Sequence, residues 1–455
     1  MPPEIRSWNA ASRTVTAVWR SDSLRGRFAR GAVWSLIGAA LAQGANLAAS
    51  VITARLLGRV QFGMYGMVQS TVGMLGVFAG LGLGLTATKY VAEFRSRDPE
   101  RAGRIIALGC AVAVVSGGLL ALALLAFAPV LAARTLNAPT LADELRIGSI
   151  LLFFNALNGA QTGALAGFEA FRAIARINLI RGLIAFPITV ATVLLWGLPG
   201  AIWALAITAG LTCLLSQLSL RRQCADFFIQ VQFASGWAER RVLWTFSTPA
   251  FLSAALAGPA IWAATTMLVN QPGGYAEMGV YSAANQWRNA ISFVPIALAQ
   301  FALPLLSNLN GERDVSRHSK ALRWNLILTA AAATALAVPI ALAARYIMRL
   351  YGSGFQQGSF VLVLAAATAI IACINGVVGT AILSSGSVWI GFAFNGMWAA
   401  LLLASCYRFV PTNLALGVAG SMLGASIVHT VWQALYLRHL FPVLGKPVDR
   451  HLTDL

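Results

Sequence analysis

The chain has 455 residues, of which 58% are apolar and 11% charged, and its formal net charge is +18. Soluble domains carry about 25% charged residues, so this composition excludes a soluble enzyme, a disordered chain and a secreted disulfide scaffold. The apolar residues occur in runs of about 20 or more, each long enough to cross a bilayer as a helix, which argues against a transmembrane β-barrel. We therefore predict an all-α polytopic membrane protein.

The predicted chain order is a basic cytoplasmic segment (1–30), an N-terminal lobe (31–220), a cytoplasmic linker (221–242), a C-terminal lobe (243–437) and a cytoplasmic tail (438–455). Each lobe contains six transmembrane helices, which gives twelve in all. The predicted spans are 31–55, 62–88, 105–131, 147–168, 175–196, 199–220, 243–269, 279–306, 322–344, 359–384, 387–407 and 413–437.

Most basic residues fall on one side of the predicted membrane. With the N-terminus in the cytoplasm, 25 of the 33 Lys and Arg residues lie on the inner side, seven lie on the outer side and one, Arg288, lies inside a span. Cytoplasmic loops of membrane proteins carry the excess of basic residues. The pattern therefore predicts that both termini are cytoplasmic, and it accounts for the positive charge without a nucleic-acid partner.

The two halves of the sequence share a weak repeat. Phe-Gly-Met-Tyr at 62–65 aligns with Met-Gly-Val-Tyr at 278–281, and Asn-Gly at 158–159 aligns with Asn-Gly at 375–376. The offsets are 216 and 217 residues. Because six spans is an even number, both halves enter the membrane from the same side. This predicts a parallel internal repeat, of the kind that commonly encloses a central cavity in transporters.

Span eight contains the basic residue that lies deepest in any span. Arg288 shares one helical face with the polar residues Asn285, Asn289 and Ser292. A charge at the bilayer centre costs at least about 2.5–3.5 kcal/mol, so this face is expected to line protein or water. We favour a cationic patch on a wet, substrate-binding cavity, and the alternative is a hydrogen-bond cluster between helices.

Uncharged polar faces occur in the N-terminal lobe. Gln43 and Asn46 share a face of span one, and Asn155 and Asn158 lie in span four. For these residues, lining the substrate cavity and packing between helices remain equal alternatives. None of the 15 acidic residues lies deep in a span, and the five cysteines lack metal-ligand spacing, so we predict no metal and no cofactor.

Four segments resemble a known family: ITARLLGRVQFGMYG (52–66), GLGLGLTATKYVAEFR (80–95), LAGFEAFRAIARINLIRGL (165–183) and YSAANQWRNAISFVPIALAQFALPLLS (281–307). They are similar to the polysaccharide-flippase branch of the multidrug/oligosaccharidyl-lipid/polysaccharide exporter superfamily. The resemblance implies two six-helix lobes around a cationic central cavity, and export of glycans carried on polyprenyl diphosphate across the bacterial inner membrane.

Two arginines match the family pattern. The resemblance makes Arg288 and Arg55 candidate substrate-binding residues. Helix phase places Arg55 on the face of span one opposite Gln43, which argues against a shared cavity.

The leading hypothesis is an alternating-access flippase, a transporter and not an enzyme, for a polyprenyl-diphosphate-linked oligosaccharide in surface polysaccharide biosynthesis, either O-antigen or exopolysaccharide. Membrane lipid is a partner, and a polysaccharide polymerase and glycosyltransferases are further expected partners. One alternative is a multidrug exporter of the same superfamily, which usually needs intramembrane carboxylates. The other is a polytopic polyprenyl-dependent glycosyltransferase, which needs an acid on an outer loop.

Overall fold

Long helices form nearly all of the chain, as predicted, in the residues described by this computed structural model: 24–242, 247, 251–252, 255–307, 315–384 and 388–444. Among these residues, eleven helices have seven residues or more. They are α1 (Leu24–Gly80), α2 (Leu83–Phe94), α3 (Pro99–Val130), α4 (Ala142–Gly167), α5 (Phe171–Asp226), α6 (Ala257–Val269), α7 (Gly274–Ser307), α8 (Val315–Leu342), α9 (Ala344–Leu350), α10 (Ser359–Ser384) and α11 (Val388–Leu444).

Three of these helices are each interrupted by one residue with a positive φ. The residues are Gly58 in α1 (φ 71°), Gly197 in α5 (φ 60°) and Leu414 in α11 (φ 49°). The chain reverses direction at Leu414. The reversal is shown by Gly417, where an added Cβ would lie only 2.6 Å from the carbonyl oxygen of Phe409. Residues eight apart in a continuous helix are about 12 Å apart. Gly58 falls between predicted spans one and two and Gly197 between spans five and six, whereas Leu414 falls just inside the predicted start of span twelve at 413.

Other boundaries differ from the predictions. Predicted span two is divided at Leu81 and Gly82, which both have positive φ, so α1 ends before α2 begins. Helix α5 continues to Asp226, beyond the predicted start of the linker at 221. Residues 1–23 and 445–455, and most of 243–256, lie outside the described residues. Six helical stretches in the described part are long and apolar enough to cross a membrane, and the count of twelve crossings stays a prediction.

The repeated Asn-Gly pair has the same structural role in both halves. In the N-terminal half, Asn158 on α4 accepts a 3.0 Å hydrogen bond from Ser216 on α5. In the C-terminal half, Asn375 on α10 accepts a 2.7 Å hydrogen bond from Thr430 on α11. In each half, the predicted fourth span is thus tied to the predicted sixth span, as expected for a parallel repeat.

The connection between the halves docks on the N-terminal half. The Glu239 carboxylate forms ion pairs with Arg101 and Arg104 of α3, at 3.2 and 3.3 Å. Ile229 packs into an apolar cluster with residues of α2, α3, α4 and α5. This end of the bundle carries the basic residues that are predicted to face the cytoplasm. We call the opposite end, with Gly58, Gly197 and Leu414, the predicted outer end.

The charge asymmetry yields a topology prediction. A reporter fused after Leu455 should be active only in its cytoplasmic form, because both termini are predicted inside. A cysteine replacing Gly273, in the turn between α6 and α7, should react with an impermeant thiol reagent from outside. A cysteine replacing Glu100, at the other end, is the control that should react only after permeabilisation. The reverse labelling pattern would contradict both the orientation and the naming of the outer end.

Candidate functional site: the polar face of α7 and the contact between the halves

Helix α7 presents the predicted cationic face. Arg288 lies 14 residues after Gly274, or about 21 Å along the helix at 1.5 Å per residue, which is near the middle of this 34-residue element. Its side chain is half-buried, as are those of Asn285 and Ser292, whereas Asn289 is exposed. Within the part of the chain that the structure describes, the Arg288 guanidinium forms no ion pair or hydrogen bond.

The surroundings of Arg288 explain why α7 has this orientation. Ile291, on the neighbouring face, is buried against Ala337 of α8 and against Ala366 and Ala369 of α10. The Ser292 hydroxyl donates a 3.0 Å hydrogen bond to the Arg288 carbonyl oxygen, which satisfies the hydroxyl within its own helix. The apolar contacts therefore fix the rotation of α7, and no described residue occupies any of the five N–H donors of the guanidinium.

The N-terminal polar residues divide into two groups. Gln43 and Asn46 are half-buried on α1, and Asn155 is exposed on α4. Asn158 differs because its side-chain oxygen accepts hydrogen bonds from Ser216 and Thr162, which favours the packing alternative for this residue. For the other three, lining a substrate cavity stays a prediction.

Arg55 lies at the predicted outer end and away from the middle of α7. Its Nε donates a hydrogen bond to the carbonyl oxygen of Leu350, at the end of α9. This location agrees with the helix-phase argument that separated Arg55 from Gln43. Arg55 therefore joins the two halves in this conformation, and its binding of substrate stays a prediction.

Arg59 is a contact residue that the sequence did not single out. Its Nη2 pairs with Glu277 of α7, and its Nε donates a 3.1 Å hydrogen bond to the carbonyl oxygen of Ala276. Arg59 and Glu277 are 218 residues apart in the chain, so no local pattern identifies the pair. The sequence indicates this pair only in that Arg59 and Glu277 have opposite charges and both lie on predicted outer connections.

Further contacts close the same end. Tyr275 of α7 donates a 2.7 Å hydrogen bond to the carbonyl oxygen of Leu136, and Asn270 donates a 2.9 Å bond to that of Thr135. Phe62 of α1 packs against Tyr351 and Phe355 from the other half. The two halves are thus joined at the predicted outer end by an ion pair, hydrogen bonds and an aromatic cluster.

Glycines let the helices approach closely at this contact. A Cβ added to Gly63 would overlap the carbonyl oxygen of Tyr275 and would lie 2.8 Å from the backbone nitrogen of Gly279. A Cβ added to Gly279 would overlap the carbonyl oxygen of Arg59. Both glycines belong to the segments that carry the internal repeat. Backbone-to-backbone packing of this kind requires small residues on both helices.

A family model described as polysaccharide biosynthesis protein matches residues 28–310. The EPS I polysaccharide export inner membrane protein EpsE of Ralstonia nicotianae is 24% identical over 401 residues, which are 85% of this chain and 88% of that protein. The Lipid III flippase of Escherichia coli is 21% identical over 308 residues, which are 67% of this chain and 73% of that protein.

Among solved structures, an inward-facing conformation of a multidrug resistance MATE family transporter of the MOP superfamily superposes with a TM-score of 0.74. It is 16% identical, and the match covers 89% of this chain and 96% of that one. This similarity shows that the chain has the two-lobe helical fold of that superfamily.

Proposed function

This chain belongs to the polysaccharide biosynthesis protein family, and we propose that it is a flippase that exports a polyprenyl-diphosphate-linked oligosaccharide by alternating access. The observation that carries the proposal is Arg288 near the middle of α7, whose guanidinium has no ion pair or hydrogen bond among the described residues. A guanidinium binds phosphate oxygens through two parallel hydrogen bonds. A diphosphate would therefore provide the anionic partner that no described residue provides for Arg288. Asn285 and Asn289, on the same face, add amide donors.

The names of the relatives support the same class of cargo. One is a polysaccharide export protein of the inner membrane, and the other is a flippase for lipid III. This chain is accordingly a multi-pass inner-membrane protein that serves surface polysaccharide synthesis. We further propose cytoplasmic termini, and association with a polysaccharide polymerase or with glycosyltransferases.

The contact between the halves gives the proposed transport cycle its closed outer end. Arg59–Glu277 and the neighbouring hydrogen bonds seal the predicted outer end while the substrate binds from the cytoplasm. Opening requires these contacts to break and α7 to separate from α1.

Multidrug export is the second candidate because the solved neighbour is a multidrug transporter. Recognition of organic cations favours carboxylates within the bilayer. The described acidic side chains instead lie at helix ends or in connections, such as Glu93, Asp98, Glu169, Glu239 and Glu277. This distribution favours an anionic cargo over a cationic one.

Energy coupling tests the proposal. The diphosphate carries about two negative charges, and outward movement of each releases about 2.3 kcal/mol per 100 mV when the interior is negative. In proteoliposomes of defined orientation, a potassium-diffusion potential at equal pH and without sodium should accelerate flipping of a polyprenyl-diphosphate oligosaccharide. Liposomes with the reversed potential are the control. Transport that follows a pH or sodium gradient, and ignores the potential, would contradict this mechanism.

A further inference from the structure

A pocket opens at the predicted outer end of the N-terminal half, and Arg59 is among the residues that line it. Its volume is about 750 Å³, within the range of about 300–1,000 Å³ that small-ligand sites occupy. It is lined by all three outer connections of this half, at residues 57–64, 140–144 and 196–199. None of the sequence predictions placed a site here.

One wall of the pocket holds a largely buried carboxyl group, and one of its two oxygens lacks a partner among the described residues. Glu144, in the first turn of α4, is 8% exposed, and its Oε2 is buried with no hydrogen-bond partner among the described residues. Burial raises the pKa of this carboxyl, a hydrogen bond from its own backbone N–H acts in the opposite direction, and the charge of Asp143 adds to the rise. A buried polar atom without a hydrogen-bond partner is unfavourable, and a hydroxyl-bearing ligand in the pocket that Glu144 lines supplies such a partner.

The other polar groups determine the charge of that ligand. Arg59 lines the pocket and uses Nε and Nη2 for the contact with α7, so the contacts with described residues leave N–H donors on its guanidinium. Gln61 and Thr140 add an exposed amide and an exposed hydroxyl. An anion is disfavoured by Glu144 and a cation is disfavoured by Arg59. A neutral ligand that both donates and accepts hydrogen bonds fits all four groups.

An aromatic surface completes the pocket. Trp196 is 58% exposed and directly precedes Gly197, whose positive φ turns the chain at the end of this helical segment. The turn is followed by Leu198 and Pro199, which also line the pocket. A flat indole next to hydroxyl-binding groups suits a pyranose ring, which has an apolar face of C–H bonds and an edge of hydroxyls.

We propose that this pocket binds a sugar residue of the exported glycan on the outer face of the membrane. The inference rests on the proposed function and on the predicted orientation, and it adds a second substrate contact to the one at Arg288. Trp196 stacks on the sugar ring, Glu144 accepts hydrogen bonds from its hydroxyl groups, and Gln61 and Arg59 donate hydrogen bonds to its oxygens.

Direct binding tests the pocket. The full-length protein in nanodiscs is mixed with soluble methyl glycosides of glucose, galactose, rhamnose and N-acetylglucosamine, and saturation-transfer NMR detects the bound sugar. At least one glycoside should bind, and Trp196→Ala and Glu144→Gln should weaken it about tenfold or more, as expected for loss of one such contact. Trp389→Ala, which removes an exposed indole (72% exposed) at the start of α11, is the matched control and should bind normally.

Gln61→Ala is a second test. The Gln61 side chain is exposed, so its removal should leave the fold intact, and it should also weaken glycoside binding. The proposed sugar site is contradicted if no glycoside binds, or if the variants bind the glycoside as well as the wild type does. The proposed sugar site is also contradicted if Trp196→Ala changes only the contact of the protein with phospholipid headgroups. Trp196 would then be an interfacial anchor.

The flipping assay separates this inference from the proposed function. Intact flipping of a lipid-linked oligosaccharide without binding of soluble sugar would contradict the pocket alone. Sugar binding that depends on Trp196, in a protein that flips no lipid-linked oligosaccharide, would contradict the proposed function and leave the pocket standing.

Discussion

Replacing Arg288 with alanine should abolish glycan export while the protein still inserts in the membrane. The side chain is half-buried and makes no described ion pair or hydrogen bond, so its removal leaves no partner unsatisfied and costs little stability. Each hydrogen bond to a charged group contributes about 1.5–3 kcal/mol. Losing a two-pronged contact to a diphosphate should therefore lower export about a hundredfold or more.

Two further substitutions separate charge from geometry at this position. Arg288→Lys should retain partial export, because an ammonium keeps the charge and loses the planar fork, and Arg288→Glu should be inactive. The measurement is accumulation of the lipid-linked glycan in the cytoplasmic leaflet, with protein level checked by immunoblot. Arg222→Ala, at an exposed position, is the control. Normal export by well-expressed Arg288→Ala would assign the residue to packing.

Replacing Gly63 with leucine should block transport by preventing closure of the predicted outer end. Even a Cβ at this position overlaps the Tyr275 carbonyl oxygen, and overpacking typically costs about 1–3 kcal/mol. The ratio of closed to open protein should therefore fall by about ten- to a hundredfold. The packing within each half does not involve this contact, so the variant should still fold.

The matched control is Gly73→Leu. Gly73 belongs to the same helix, is exposed, and has nothing within 4 Å of an added Cβ, so this variant should transport normally. A cysteine replacing Met278, which is buried at this contact, should become more reactive toward an external thiol reagent when Gly63→Leu is also present. Unchanged reactivity and normal export would show that this contact does not have to close during transport.

The sequence by itself determined the class of the molecule and much of its local geometry. A run of about 20 apolar residues crosses lipid as an α-helix, since the helix pairs the backbone polar groups within the segment. Gly58 and Gly197 lie between predicted spans, and glycine adopts positive φ readily, so the helix breaks at these two residues agree with the sequence. Arg288 stood out because a charge within an apolar run is rare.

Only the tertiary structure decided which residues face one another. Arg59 meets Glu277, Gly63 meets Gly279 and Asn158 meets Ser216, and none of these partners is encoded by a local period. The sequence also did not predict the division of span two at Gly82. The apolar run is continuous there, and hydropathy does not show that the backbone turns. Periodicity defines which residues share a face of one helix. Lipid presents the same apolar surroundings to every helix, so the choice of neighbour depends on side-chain shape and on polar pairing across hundreds of residues.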